Sequence, residues 1–168
     1  MKRKLILAFF LSLATAGVHG QSGSGDMSAF PKSGEQAKTV VQYVFPEQVT
    51  VPAGKLTNIA MHFRIAPGLH INSNAPKDEF LIPTTFSIPE GMGVKLEGAT
   101  YPAGTEMTLP LDPGTKLSVY SGDFVLQTRI VASLGNHLVE GRLRYQACDN
   151  HACMPPKTIP VAIDVVGK

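Results

Sequence analysis

The chain has 168 residues, of which 43% are hydrophobic, with no Trp, two Cys, 16 Gly and 13 Pro, and its 15 basic against 13 acidic residues give a formal charge of +2. Three of those basic residues, Lys2, Arg3 and Lys4, stand at the extreme N-terminus, so the remainder carries 12 basic and 13 acidic groups. That near-neutral balance argues against an electrostatic nucleic-acid or membrane surface. No stretch beyond the first twenty residues is long and apolar enough to cross a bilayer.

Residues 1–20 have the layout of a secretory signal peptide. A basic start is followed by an apolar run from Leu5 to about Ala16, too short to span a membrane, and by a cleavage site placed near Gly20/Gln21. No Cys follows that site, so a lipid anchor is not expected, and export puts the mature chain where disulfides persist. Residues 21–38 are Gly/Ser-rich and aperiodic, which reads as a flexible leader. Residues 39–168 are enough for one domain with a real core, a size that does not depend on a disulfide to fold.

From Thr39 onward Pro and Gly interrupt every window in which an amphipathic helix could form. Period-two alternation predicts half-buried strands instead. In Leu56 to Ile65, the residues Ile59, Met61, Phe63 and Ile65 share one face, and Asn58, His62 and Arg64 the other. Phe124, Leu126 and Ile130 oppose Gln127 and Arg129. Near the end, Ile159, Val161, Ile163 and Val165 oppose Ala162 and Asp164. Shorter candidates are Val40 to Phe45, Gln48 to Val51, Leu81 to Ile88, Val94 to Glu97 and Leu117 to Tyr120. About eight strands with Pro/Gly turns between them predict an antiparallel β-sandwich.

The two cysteines fall in "YQACDNHACMPPK", Tyr145 to Lys157. In Leu138 to Cys148 the odd positions Val139, Leu143, Tyr145 and Ala147 are apolar, so parity turns Cys148 away from the core if the strand persists. With the next strand beginning near Thr158, Cys148 to Pro156 becomes the tip of a hairpin. A disulfide there would close a loop of about six residues, for which chain entropy gives only roughly 2 kcal/mol. Redox work needs a thiolate tuned by its neighbours and open to a partner. His151 would favour that thiolate when protonated and Asp149 would oppose it, while Pro155 and Pro156 cannot continue a central strand and hold the segment open. Three readings stay open from the residues alone. One is a redox centre; the second is an inert disulfide in an adhesion or assembly domain. The third is a Cu(I) carrier using Cys148, Cys153 and His151 or Met154, whose donors are soft enough for that ion.

The chain resembles the N-terminal periplasmic domain of DsbD-type thiol:disulfide interchange proteins. The resemblance rests on "YQACDNHACMPPKTIPVAIDV", on "GLHINSNAPKDEFLIPTTFSI" from Gly68 to Ile88 and on "LSVYSGDFVLQTRI" from Leu117 to Ile130, and spans about residues 39 to 166. It implies an immunoglobulin-like β-sandwich in the periplasm, a monomer, whose only redox group is its own cysteine pair, with no metal or other cofactor. Electrons would come from a membrane electron transporter of DsbD type and pass to periplasmic thioredoxin-like, isomerase or cytochrome c maturation proteins. By position, Cys148 would be the cysteine joined to the partner and Cys153 the one that resolves it, with Tyr145 flanking the pair. His70 and Asn72 would lie near the cysteines, where the family has tyrosines, and Tyr101 would be the aromatic tip of a cap loop over Gly98 to Gly104. The chain departs from the family in having one residue fewer between the cysteines and no acidic residues just before Tyr101. Since it ends at Lys168, the chain is expected either to find its electron donor as a separate protein or to do something else with the same hairpin. His62 is expected on a solvated strand face and His137 in a turn.

Overall fold

The computed structural model describes residues 39–44, 48–109 and 112–168. The expected signal peptide and leader lie outside the described residues. The described chain is all strand, in the order β1 (Val41–Tyr43), β2 (Val49–Val51), β3 (Thr57–Ile65), β4 (His70–Asn72), β5 (Thr85–Ser87), β6 (Val94–Thr100), β7 (Thr105–Leu109), β8 (Asp112–Tyr120), β9 (Asp123–Ala132), β10 (Gly135–Tyr145), β11 (Ala147–Cys148) and β12 (Lys157–Gly167). They form three four-stranded sheets ordered β1-β3-β9-β6, β2-β12-β10-β5 and β11-β4-β8-β7. The architecture is an immunoglobulin-like β-sandwich. One edge departs from the expected antiparallel pattern: β2 runs parallel to β12, with Val49 opposite Val165. There the Gln48 amide donates to the Asp164 carboxylate at 2.9 Å.

The period-two faces are the ones that pack. On β3, Ile59, Met61, Phe63 and Ile65 are buried; on β9, Phe124, Leu126, Ile130 and Ala132; on β12, Val161, Ile163 and Val165. They meet Val139, Leu143 and Tyr145 of β10 in one cluster. Phe63 and Phe124 stack at 5.1 Å between ring centroids, and Tyr120 stacks on Phe124 at the same distance. Burial of such side chains supplies most of the driving force for the fold. The one polar residue buried within this layer, Thr128, donates its hydroxyl to the Ile59 carbonyl at 3.1 Å. Its polarity is thereby satisfied.

His137 is in β10, paired with Val165, and not in a turn. Its Nε2 lies 3.0 Å from the Ser133 carbonyl oxygen. The segment Leu81 to Ile88 also differs from expectation, since only Thr85–Ser87 is strand. The preceding residues form a loop held by side chains of the cysteine region.

Two turns set the position of β4. Leu69 N–H donates to the Ala66 carbonyl at 3.2 Å across Pro67-Gly68, and Gly68 has φ of 78°. Pro then Gly with positive φ at the two central positions is the signature of a type II turn. It reverses the chain after β3 and delivers His70 to the neighbour of β11. At the same end Gly122, φ 63°, turns β8 into β9, and its carbonyl accepts the Ile65 N–H at 2.8 Å.

Candidate redox site

The chain changes sheets at Gln146. β10 pairs with β12 and β5 up to Tyr145, whereas the next two residues, β11, pair with β4 in another sheet, Ala147 opposite Ile71 and Cys148 opposite His70. Ala147 joins the core cluster and Cys148 does not, so parity does turn Cys148 away from the core. The expectation of an outward, open sulfur is nonetheless corrected: Cys148 is 0% exposed. The outer face of β11 and β4 is itself covered.

Beyond Cys148 the chain makes a tight loop. Asp149 N–H donates to the Ala152 carbonyl at 3.0 Å, and the Asp149 carboxylate Oδ1 accepts the N–H groups of His151 and Ala152 at 2.7 and 2.8 Å. An Asx side chain that caps its own loop in this way fixes the turn. Those two N–H groups, Ala152's first, hold the Asp149 carboxyl below the usual carboxylate range. The loop brings Cys153 directly opposite Cys148 as an antiparallel bridge with Cα atoms 3.9 Å apart, and the two sulfurs form a disulfide. Met154 N–H closes the hairpin on the Ala147 carbonyl at 2.7 Å. Cys153, Pro155 and Pro156 are exposed. One sulfur-bearing residue is sealed in and its partner faces solvent.

Residues two apart on a strand, and residues directly opposite across a pair, share a face. By that rule Cys148, Gln146, His70 and Asn72 line one side of the β4/β11 ribbon. Gln146 ties this side together. Its Oε1 accepts Asn72 Nδ2 at 3.0 Å and the Ile82 N–H at 3.1 Å, and its Nε2 donates to the Met154 carbonyl at 3.3 Å. Asn72 Nδ2 also donates to the Ile82 carbonyl, and the Thr84 hydroxyl to the Asn72 carbonyl at 2.6 Å. Loop 73–84 is in this way fastened over the ribbon.

Of the five polar residues buried among the described residues, four are His70, Asn72, Ser73 and Thr84, and only Thr128 lies elsewhere. Among the described residues two buried side-chain polar atoms have no hydrogen-bond partner, His70 Nε2 and Asn72 Oδ1, and both belong to this face. Burial pushes the His70 imidazole below its ordinary 6.5, with the Asp149 carboxylate acting in the opposite direction.

His70 stands opposite Cys148 in the β4/β11 pair, and Asn72 is tied to Gln146, two residues before Cys148. His151 is mostly exposed, its Nδ1 3.8 Å from Asp149 Oδ1. Tyr145 is buried in the core cluster, and burial raises its phenol. Met154 packs against the same cluster. Tyr101 packs there too, and its hydroxyl accepts the Phe86 N–H of β5 at 2.7 Å. Among the described residues no hydrogen bond or ring contact links Tyr101 to the cysteine loop. Nor does any group of three or more His, Cys, Asp or Glu among them stand ready to hold a metal ion. Gln146 was not singled out from the sequence; the signal was a polar residue at the junction where the apolar alternation of β10 meets the cysteines.

The sandwich carries its one disulfide across a hairpin tip, one cysteine sealed and one exposed, an arrangement suited to thiol–disulfide exchange. The family model described as "Thiol:disulfide interchange protein DsbD, N-terminal" matches residues 38–164, and the chain belongs to that family. No curated protein matches it. Among solved structures, the Neisseria meningitidis DsbD N-terminal domain in the reduced form is similar with a TM-score of 0.44 and 18% identity, over 64% of this chain and 77% of that one. As in the family, the redox group is the cysteine pair itself. No described helix is long and apolar enough to cross a membrane.

Proposed function

We propose that the domain works in the periplasm as an electron carrier, taking reducing equivalents from a membrane reductase of DsbD type and passing them to thioredoxin-like or isomerase proteins. The observation that carries this reading is the contrast between exposed Cys153 and sealed Cys148 within one disulfide. Exchange requires a thiolate to reach one sulfur in line with the S–S bond. An incoming thiolate meets Cys153 first, which reverses the roles that the resemblance suggested.

A donor thiolate attacks Cys153, forms a mixed disulfide there and breaks the Cys148–Cys153 bond, whose electron pair leaves on Cys148. The donor's second thiolate then displaces Cys153. The donor ends as a disulfide and the domain as a dithiol, with two protons transferred overall. In the forward direction Cys153 attacks the acceptor's disulfide and Cys148 resolves the intermediate. Asp149 keeps the loop closed in both states, and the Pro155-Pro156 pair leaves no N–H donors for another strand to pair with. Tyr101 is assigned the task of fastening β5, not of covering the sulfurs.

Covalent trapping tests the assignment. With Cys148→Ala, partners should accumulate on Cys153 as DTT-sensitive adducts, and with Cys153→Ala the yield should be at least tenfold lower. Equal trapping, or trapping on Cys148 alone, would overturn it.

A further inference from the structure

We propose that His70 is the proton acceptor for Cys148, exchanging a proton with its sulfur each time the disulfide opens and closes. This rests on the exchange reading above.

Three observations converge on it. The register sets His70 directly opposite Cys148 in the β4/β11 pair, and side chains so paired lie on one face within reach of each other. Both are sealed, His70 being 4% exposed and Cys148 0%. The His70 Nε2 has no hydrogen-bond partner in the oxidised protein. Buried polar atoms in native structures are paired with few exceptions, and an exception calls for a physical reason. A disulfide sulfur carries no proton to share. Once the bond is reduced, Cys148 becomes a thiol or thiolate at a sealed position, and the residue paired opposite it carries the unpartnered Nε2.

In the reduced protein the Cys148 S–H donates to the bare Nε2. Transfer of that proton leaves a thiolate beside an imidazolium, an ion pair that a buried site tolerates better than either charge alone. The thiolate attacks Cys153 in the mixed disulfide, forming the Cys148–Cys153 bond and expelling the partner's thiolate with the bonding electron pair. The ring proton passes to that thiolate or to solvent. In the opposite direction Cys148 leaves as a thiolate, and its negative charge draws a proton back to the ring.

The charged surroundings agree with a ring that is neutral at rest and cationic on demand. From the cysteine loop, Asp149 favours the imidazolium, while burial opposes it. His151 acts on Asp149 from the solvent side. On β8 the titratable neighbour is Tyr120, which stands across from Ile71 and not from His70. Its phenol is raised by burial and stays neutral throughout the relevant range.

The test uses the full chain. In a Cys153→Ser background, the ultraviolet thiolate absorbance of Cys148 is titrated with His70 and with His70→Gln, which keeps a polar side chain but cannot take up a proton. The Gln variant should need about tenfold less acid, a shift of about one pH unit upward, for half ionisation. Nuclear magnetic resonance on the unmutated protein supplies the second measurement: the His70 ring should titrate at higher pH in the reduced than in the oxidised form. Identical Cys148 ionisation in the two variants, or identical His70 titration in the two redox states, would overturn the proposal while leaving exchange intact. Failure of dithiothreitol to reduce the pair at all would overturn the exchange reading and this proposal with it.

Discussion

The hairpin of β10 and β12 and the cysteine tip that joins them are continuous in sequence and opposite in construction. The base is an antiparallel ladder running without a break from Gly135 opposite Gly167 to Tyr145 opposite Lys157. Its inward residues Val139, Leu143, Val161 and Ile163 are apolar and sealed. The tip has a strand of two residues and lies against the polar buried face of β4, where, among the described residues, His70 Nε2 and Asn72 Oδ1 have no hydrogen-bond partner. The ladder supplies stability that does not depend on redox state. The tip gives up local stability to keep polar groups beside a sulfur, and a small ring adds back only about 2 kcal/mol. The lesson is that the base can hold the fold while the bond at the tip opens.

If that division is real, the largest stability effect belongs to the base. Leu143→Ala, which leaves a cavity at a fully buried position, should cost about 2 to 5 kcal/mol in urea unfolding. It should leave the rate of disulfide reduction by dithiothreitol unchanged under conditions where the protein remains folded. A changed rate would join the two regions into one unit.

A smaller effect is expected where the tip is tied down. Gln146→Leu removes the acceptor of the Ile82 N–H and of Asn72 Nδ2 and the donor to Met154. The expected cost is about 1 to 2 kcal/mol, with amide exchange accelerated at Ala147 and Met154 and unaltered at Val139. Exchange accelerated equally along β10 would remove the distinction.

The smallest effect is on pH. The His70 ring is held below its ordinary 6.5, so the unfolded chain takes up that proton first and stability rises with pH. The contribution is complete above 6.5 and declines as pH falls through the window beneath it. Asp149, held below its ordinary 3.8, contributes above that value and is lost only as pH falls further. Hydrogen exchange between pH 6.5 and 5 should therefore loosen Ala147 and Cys148 while Leu143 keeps its protection. Protection at the tip that is constant over this range would contradict the placement of a neutral His70 there.

The same contrast explains what the sequence revealed. β3, β9, β10 and β12 alternate because one face packs and the other is wet, and such strands are legible by period alone. β4 is legible by no period, because His70, Ile71 and Asn72 are buried on both faces. Residues 81–88 look like a strand, yet loop 73–84 is held by Gln146 and Asn72, partners 64 and 10 residues from Ile82. Parity placed Cys148 away from the core and could not show that a second layer covers it. The cysteines and their hairpin were readable; the asymmetry between them depended on long-range contacts.

The reduction potential of the Cys148–Cys153 pair, measured by equilibration with glutathione and dithiothreitol buffers, tests most directly whether the tip is a working centre. A carrier between thiol proteins should equilibrate with these couples at a potential above about −300 mV, within the range of exchanging dithiols. A potential below about −300 mV, with no exchange with glutathione, is the behaviour of a structural bridge and would contradict the account.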